Sequence, residues 1–276
     1  MQREVTLPRR RLLLGVTAII MSVGVMFTVA LRKKAAATPT MDWINETIDG
    51  LHYAVLLPAN YKSTKHYPVV LYLHQYDMGN YRNGLLKQVE AWFGTSAFRT
   101  RHLAIIIVPM LDQIKDPKAN FGGKHTGHAW KDATIAALKH VLEQYSADPA
   151  RIYVTGNSMG GMGTWDMLLS YNARIGSNDH FFAAGMPLAG RHQTANPVEA
   201  ARVLRQVPIW AIHGAQDAEV SPEWDRTMAK LLSDSPTFRY TEDPGLRHDV
   251  WDSYYMRTDV WDWLFAQSSA YETSRP

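Results

Sequence analysis

The segment around Ser158 combines a candidate nucleophile with a backbone pattern that could activate it. Residues 156–160 read GNSMG, which has the form Gly-x-Ser-x-Gly. A β-branched run at 151–155 leads into the motif, and a helical pattern at 159–171 follows it. A serine on such a strand–turn–helix presents its hydroxyl at the helix N-terminus, where the helix dipole favours a developing negative charge. We therefore predict that Ser158 is a nucleophile; the alternative is a serine that only caps the helix.

A serine nucleophile needs a histidine base, and the base needs a carboxylate that orients it. The histidines after Ser158 are His180, His192, His213 and His248. His248 falls in a loop after a predicted strand at 237–242, and Asp217 falls in a loop after a predicted strand at 208–213. Because sites in open α/β sheets form at the carboxyl ends of strands, we predict His248 as the base and Asp217 as the acid.

Other assignments compete with these two. Asp217 could be only a turn-forming residue, and His248 could be an ordinary surface histidine. His213 ends an apolar strand, and we interpret it as a structural histidine without a catalytic role. The carboxylates that could replace Asp217 or assist the base are Glu219, Glu223, Asp243 and Asp249.

An attacked carbonyl also needs two backbone N–H donors for its oxyanion. One should be the amide of Met159, the residue after the nucleophile, and the other should follow an early strand. Residues 71–76, LYLHQY, are that strand and its turn. We predict the amide of Tyr76 as the second donor, with that of Gln75 as the alternative.

Composition and charge exclude several classes of function. The chain has 276 residues and no cysteine, which excludes a thiol nucleophile, a thiolate metal site and disulfides. Its net charge is +3, but residues 1–40 hold seven Lys or Arg against one Glu, leaving 22 basic and 25 acidic residues for 41–276. The globular part is therefore slightly acidic, and we expect no nucleic-acid partner.

The N-terminus has the features of an export signal or a membrane anchor. Residues 12–31 are uncharged and apolar, which as a helix would span roughly 30 Å, about one bilayer core. Arginines at 9–11 precede this run and resemble the twin-arginine export motif, while alanines at 35–37 offer a cleavage site. We predict that 1–40 is a cleaved signal or an uncleaved anchor, and that a catalytic domain at 41–276 lies outside the cytoplasm. A buried core helix is the alternative for 12–31.

The elements that must position these residues follow an α/β pattern. Apolar β-rich runs predict strands at 52–57, 68–73, 103–108, 151–155, 182–188, 208–213 and 237–242. Helical patterns alternate with them at 83–93, 131–145, 159–171, 197–205, 222–232 and 251–267. The alternation predicts a mostly parallel sheet with helices on both faces. A long loop is expected at 110–129, and the short segment before the strand at 208–213 leaves no room for a large cap domain.

The motif-bearing stretches resemble secreted esterases of the α/β-hydrolase superfamily, the group around polyhydroxybutyrate depolymerases, feruloyl and acetylxylan esterases, and prolyl-oligopeptidase-like catalytic domains. The resemblance is carried by YPVVLYLHQY, DPARIYVTGNSMGGMGTWDM, VPIWAIHGAQDAEVSP and LRHDVWDSYY, which together span 67–255. It implies an α/β-hydrolase fold, with Ser158 as nucleophile, Asp217 as acid, His248 as base, and oxyanion amides at Met159 and Tyr76. One departure is Gln75, since these families usually have glycine after the histidine.

The expected function is therefore hydrolysis of carboxylic esters through an acyl-enzyme, with a small or polymer-linked ester as substrate. A peptidase or acyltransferase of the same fold, and a non-catalytic binding protein, are the alternatives. We expect no metal, because His125, His128, Asp112 and Asp116 match no strong ligand motif, and no cofactor, because no nucleotide fingerprint is present. Trp130 and Trp251 are candidate substrate contacts, with core packing as the alternative. The oligomeric state is not predicted.

Overall fold

The computed structural model describes residues 41–78, 82–122, 130–172, 180–192, 194 and 196–270. One eight-stranded sheet runs through them in the order β1-β2-β4-β3-β5-β6-β7-β8. Its strands are β1 (Ile44–Ile48), β2 (Leu51–Leu56), β3 (Tyr67–Leu73), β4 (Ile105–Met110), β5 (Ala147–Asn157), β6 (Ala184–Leu188), β7 (Ile209–Gly214) and β8 (Phe238–Asp243). The strands β3 to β8 are parallel to one another. β1 and β2 extend the sheet at one edge with antiparallel pairing. The predicted mostly parallel sheet is confirmed.

Helices cover both faces of the sheet. They are α1 (Arg82–Phe93), α2 (Ser96–Arg101), α3 (Lys131–Gln144), α4 (Met159–Tyr171), α5 (Pro197–Leu204), α6 (Glu223–Leu231), α7 (Trp251–Tyr254) and α8 (Thr258–Phe265). Alternate side chains of β3 point to opposite cores: Val69 and Leu71 pack with α3 to α6, whereas Val70 and Tyr72 pack with α1, α2, α7 and α8. Because strands such as β3 are buried on both sides, they read as unbroken apolar runs.

The prediction of one helix at 251–267 is wrong, because the chain breaks between α7 and α8. Arg257, just before α8, is extended, with φ −89° and ψ 127°. The break lets Tyr255 turn into the core, where its hydroxyl lies 2.9 Å from the hydroxyl of Thr155 on β5. The carbonyl of Tyr255 in turn accepts a 2.8 Å hydrogen bond from the indole of Trp261. We infer that burying the Tyr255 ring stabilises the fold more than a continuous helix through Arg257 would.

Two short elements were not predicted. β1 is an edge strand whose residues alternate between half-buried and exposed, so it lacks the apolar run that marked the other strands. The six-residue helix α2 begins after Thr95, whose hydroxyl accepts from the amide of Phe98 at 3.1 Å. Neither element carries a predicted site residue.

Two connections bear on the predicted loop at 110–129 and on the segment before β7. Within the described part of the long loop, residues 111–122 form neither a helix nor a strand. Between β6 and β7 the described residues form a single helix, α5. No helix within the described residues is long and apolar enough to cross a membrane, and the predicted apolar segment 12–31 lies outside those residues. The proposed boundary near residue 41 therefore stays a prediction.

Candidate active site

Ser158 occupies the sharp turn between β5 and α4. Its backbone has φ 55° and ψ −116°, a left-handed conformation that costs free energy for a residue with a side chain. The turn is held by a 2.9 Å hydrogen bond from the Ser158 amide to the carbonyl of Leu188 on β6. Although Ser158 stands at the cap position of α4, its hydroxyl makes no capping hydrogen bond. The hydroxyl is therefore available to another partner, and the helix-cap alternative is not what the geometry favours.

That partner is His248, in the loop after β8. Its Nε2 lies 2.8 Å from Ser158 Oγ, and its Nδ1 lies 2.7 Å from Asp217 Oδ2. An ionised carboxylate can only accept, so Nδ1 carries the proton and Nε2 offers its lone pair to the serine hydroxyl. The structure thus brings together three residues separated by 90 and 31 positions in the sequence. This is the geometry that activates a serine hydroxyl.

Asp217 lies in the loop after β7 and accepts four hydrogen bonds, two from amides of that loop and two from histidines. Its Oδ1 accepts from the amides of Glu219 and Val220, both at 2.9 Å, and its Oδ2 accepts from His248 and also faces His213 Nε2 at 3.1 Å. Burial alone would raise the pKa of Asp217, but the hydrogen bonds from His248 and the two amides outweigh it and lower the pKa. The carboxyl therefore stays ionised at neutral pH. Asp217 therefore fits both interpretations: its Oδ1 accepts from the amides of the turn, and its Oδ2 contacts His248.

The rival carboxylates have other surroundings. Glu219 Oε2 lies 3.8 Å from His248 Nε2, but its side chain is 75% exposed. Glu223 pairs with Arg226 on α6. Asp243 accepts from the amide of Gly245 at 2.9 Å and from the hydroxyl of Tyr254 at 3.2 Å. Of these carboxylates, Asp217 has the direct contact with His248 Nδ1 that orients a base.

The N-terminus of α4, which carries the Met159 amide, and the end of β3, which leads to Tyr76, come close together at Gly160. Met159 is the first residue of α4, so its amide is among those that the helix does not use internally. The turn after β3 holds Tyr76, whose side chain is exposed and whose hydroxyl donates to the carbonyl of Pro117 at 3.2 Å. A Cβ built on Gly160 would lie 1.8 Å from the carbonyl oxygen of Leu73, the last residue of β3. The oxyanion roles of Met159, Tyr76 and Gln75 stay predictions.

Replacing Gly160 with alanine is expected to lower the free energy of unfolding by at least about 2 kcal/mol, because the added methyl would overlap the Leu73 carbonyl. Helix propensity alone would act in the opposite direction, by about 1 kcal/mol in favour of alanine. Urea unfolding followed by circular dichroism measures the difference. The matched control is Gly245→Ala, where the nearest atom lies at 3.5 Å. Equal stability of both variants would contradict the close approach.

Gln75 and His74 fix the turn after β3. The carboxamide of Gln75 accepts from Asn157 Nδ2 at 2.9 Å and donates to Gln88 on α1 at 3.2 Å. Burial lowers the pKa of His74 to about 4, so its ring is neutral. Its Nε2 accepts from the amide of Leu111 at 3.0 Å, and its Nδ1 then donates to the carbonyl of Gln75 at 2.6 Å. The side chain at the unusual Gln75 position is therefore tied to the residue that precedes Ser158.

The two tryptophans predicted near the site differ in their surroundings. The ring of Trp251 meets His248 edge to face, with centroids 5.1 Å apart, and is buried. Trp130 precedes α3 and is half-buried against the core, with its ring 3.9 Å from a Cβ position at Gly50 in the β1–β2 turn. Its buried indole N–H has no hydrogen-bond partner among the described residues, which leave out the seven positions before it. A substrate contact by either ring stays a prediction, and Trp251 also packs against His248.

Two of the four residues considered as metal ligands are described by the structure, namely Asp112 and Asp116. His125 and His128 lie outside the described residues. Asp112 uses Oδ1 to accept from the amides of Ile114 and Lys115, both at 3.1 Å, as turn aspartates do. Among the residues that the structure describes, no group of three or more histidine or acidic side chains is arranged to hold a metal ion.

Comparison with known proteins gives a family and a fold. Residues 45–263 match the protein family described as "Putative esterase". A thermostable esterase superposes with a TM-score of 0.67 at 24% identity, covering 82% of this chain and 63% of that one, so the chain spans somewhat less than two thirds of its length. A serine-to-alanine mutant of the feruloyl esterase module from Clostridium thermocellum, complexed with sinapinate, superposes with a TM-score of 0.58 at 16% identity over 88% and 94% of the chains. Pyrococcus horikoshii acylaminoacyl peptidase superposes with a TM-score of 0.57 at 14% identity, covering 90% of this chain and 45% of that one. The fold is that of the α/β hydrolases.

Proposed function

Since the chain belongs to this esterase family of the α/β-hydrolase superfamily, we propose that it cleaves carboxylic esters through a Ser158 acyl-enzyme. His248 is the general base and Asp217 is the acid that orients it. The observation that carries the proposal is the continuous line from Ser158 Oγ through His248 to Asp217, with hydrogen bonds of 2.8 and 2.7 Å. A serine in a strained turn whose hydroxyl caps nothing, facing such a histidine, fits nucleophilic catalysis.

Acylation begins when Ser158 Oγ attacks the ester carbonyl carbon and its proton moves to His248 Nε2. The tetrahedral intermediate then collapses, the bond to the alcohol oxygen breaks, and the leaving alkoxide takes the proton from His248. Water enters next, gives one proton to His248, and attacks the acyl carbon. Collapse of the second intermediate returns the proton to Ser158 Oγ and releases the acid.

The developing oxyanion is proposed to lie between the amides of Met159 and Tyr76, with Gln75 as the alternative donor. The N-terminus of α4 adds a partial positive charge at this position. Two hydrogen bonds keep the turn after β3 close to this helix: His74 donates to the carbonyl of Gln75, and Asn157 donates to the Gln75 side chain. Preorganised donors of this kind lower the barrier because they need not reorient during the reaction.

Bulky or polymer-linked esters are the substrates we propose. Between β6 and β7 the described residues form only α5, so the described part of this connection places no cap domain over the carboxyl edge of the sheet. The feruloyl esterase module that shares this fold was crystallised with sinapinate, an aromatic acyl compound. Trp130, at the loop preceding α3, is the candidate ring for an aromatic acyl group.

A peptidase is the second candidate, because acylaminoacyl peptidase shares the fold. A panel of acetyl, feruloyl and hydroxybutyrate esters, each tested as a soluble short ester and as a polymer-linked ester and paired with the amide of the same acid, separates the two functions and tests the substrate class. We expect turnover of esters, lost in Ser158→Ala, and none of the matched amides. Faster amide than ester cleavage would replace the esterase proposal, and activity on soluble short esters without any on polymer-linked ones would remove the proposed substrate class.

We further propose that 1–40 directs the protein out of the cytoplasm, as a cleaved leader or an anchor. The motivation is the arginine cluster at 9–11 before the apolar run 12–31. Intact-mass measurement of the protein in separated cell fractions tests this. Full-length protein in the cytoplasmic fraction would contradict it.

A further inference from the structure

Two buried side chains continue the hydrogen-bonded line beyond Asp217. His213 lies on β7 and Asp225 on α6, and both are 0% exposed. His213 Nδ1 lies 2.7 Å from Asp225 Oδ2. On its other side, His213 Nε2 lies 2.9 Å from the carbonyl oxygen of Val220 and 3.1 Å from Asp217 Oδ2. A histidine that appeared purely structural in the sequence therefore touches the proposed catalytic acid.

The partners of His213 determine where its protons are. A carbonyl oxygen can only accept, so the contact with Val220 requires a proton on Nε2. Asp225 Oδ1 accepts from the indole of Trp165 at 3.1 Å, which leaves Oδ2 for His213. One further proton lies between Nδ1 and Asp225 Oδ2, on either atom. In both arrangements the pair has no net charge and Nε2 remains a donor.

We propose that His213 is a positioning residue for the reaction: its Nε2–H, anchored by Asp225, holds the Asp217 carboxylate that orients His248. The proposal rests on the proposed function of the Ser158 site. His213 and His248 donate to the same oxygen, Asp217 Oδ2. With both donors present, rotation of the carboxylate away from His248 would break two hydrogen bonds at that oxygen and leave a buried charge poorly compensated.

Among the described residues, the charged groups that face the His213–Asp225 pair do not donate a hydrogen bond to Asp217. Glu242 on β8 faces the pair but is neutralised by Arg226 of α6, with a 2.8 Å hydrogen bond, and accepts from the hydroxyl of Tyr240 at 2.6 Å. Trp165 on α4 is neutral. Burial would lower the pKa of His213, but the adjacent Asp225 and Asp217 carboxylates outweigh it and raise the pKa. Burial also raises the pKa of Asp225 to about 6, so the shifts of both groups favour the state in which the pair shares a proton.

Substitution of His213 by asparagine and by glutamine separates positioning from packing. The amide nitrogen of asparagine falls near the position of Nδ1, so His213→Asn keeps a contact with Asp225 but removes the donor to Asp217. The longer glutamine places its amide near the position of Nε2 and restores that donor. We expect His213→Asn to lower kcat on an activated acetate ester by about ten- to a hundredfold, the size expected for one hydrogen bond to a charged group.

The pH profile distinguishes this role from a structural one. In His213→Asn the Asp217 charge is less compensated and favours the protonated base, so the acid-side midpoint of kcat/KM should move up by about 0.5 to 1 pH unit. His213→Gln should return both kcat and the midpoint toward wild type. Folded His213→Asn with unchanged kcat and midpoint would overturn the proposal. Equal losses in both variants without a shift of the midpoint would also overturn it.

A measurement on the wild-type protein needs no variant. In protein with ¹⁵N-labelled histidine, Nε2 of His213 should stay protonated between about pH 5 and about pH 9. Loss of that proton within this range would refute the proposed donor even if His213→Asn did not fold. Failure of the proposed function is distinguishable, because wild-type protein would then lack Ser158-dependent ester hydrolysis while these NMR states could still be observed.

Discussion

Ser158→Ala is expected to lower kcat for ester hydrolysis by about 10⁴- to 10⁶-fold, because the proposed triad acts as a unit and cannot form an acyl-enzyme without its nucleophile. The fold should survive, since the hydroxyl caps no helix and its contact is with His248. Initial rates on an activated ester, with circular dichroism for folding, measure both quantities.

The matched control is Ser221→Ala. Ser221 is an exposed serine in the loop of Asp217, with its Oγ 3.4 Å from the amide of Glu223. Its removal should leave kcat unchanged within about twofold, as is usual for surface substitutions. If folded Ser158→Ala retained more than a tenth of wild-type activity, the assignment of the nucleophile would be wrong.

Asp217→Asn is expected to lower kcat by about 10⁴-fold, the loss that follows when the acid of a triad becomes an amide. The new side chain can keep its oxygen toward the amides of Glu219 and Val220. It then presents an N–H to His248 Nδ1, which must become an acceptor. The proton moves to His248 Nε2, and that nitrogen can no longer accept from Ser158.

Glu219→Gln is the control for this prediction. Glu219 lies 3.8 Å from His248 but is exposed, so its removal should change kcat by less than about threefold. Steady-state kinetics on one ester at several pH values compares the two variants. A larger loss in Glu219→Gln than in Asp217→Asn would move the role of the acid to Glu219.

Much of the fold could be predicted because the buried strands are distinctive. β3 and β4 are covered on both faces and therefore appear as apolar runs, and the helices between strands keep their 3.6-residue period. β1 could not be predicted in this way, since it is an edge strand with half-exposed residues. The break before α8 depends on where Tyr255 is buried, which is a tertiary effect that no local pattern contains.

The candidate site was predictable to the extent that its residues follow strands. Ser158, Asp217 and His248 each follow the end of a parallel strand, so their positions and their order along the chain favour them, although nearby carboxylates such as Glu219 remain rivals of Asp217 at the level of the sequence. The surrounding support was not predictable, because it depends on contacts between loops. His213 was interpreted as structural, yet its ring lies against Asp217. Gln75 stood out only as a departure from the usual glycine, and the structure connects it to Asn157.

Intact-mass spectrometry after treatment with a fluorophosphonate tests the central claim most directly. A fluorophosphonate phosphonylates a serine that has an activated hydroxyl, with loss of fluoride. The wild-type protein should gain the mass of one phosphonyl group at Ser158, Ser221→Ala should gain the same mass, and Ser158→Ala should gain none. Wild-type protein that stays unlabelled, or Ser158→Ala that is labelled as fully as wild type, would contradict the account.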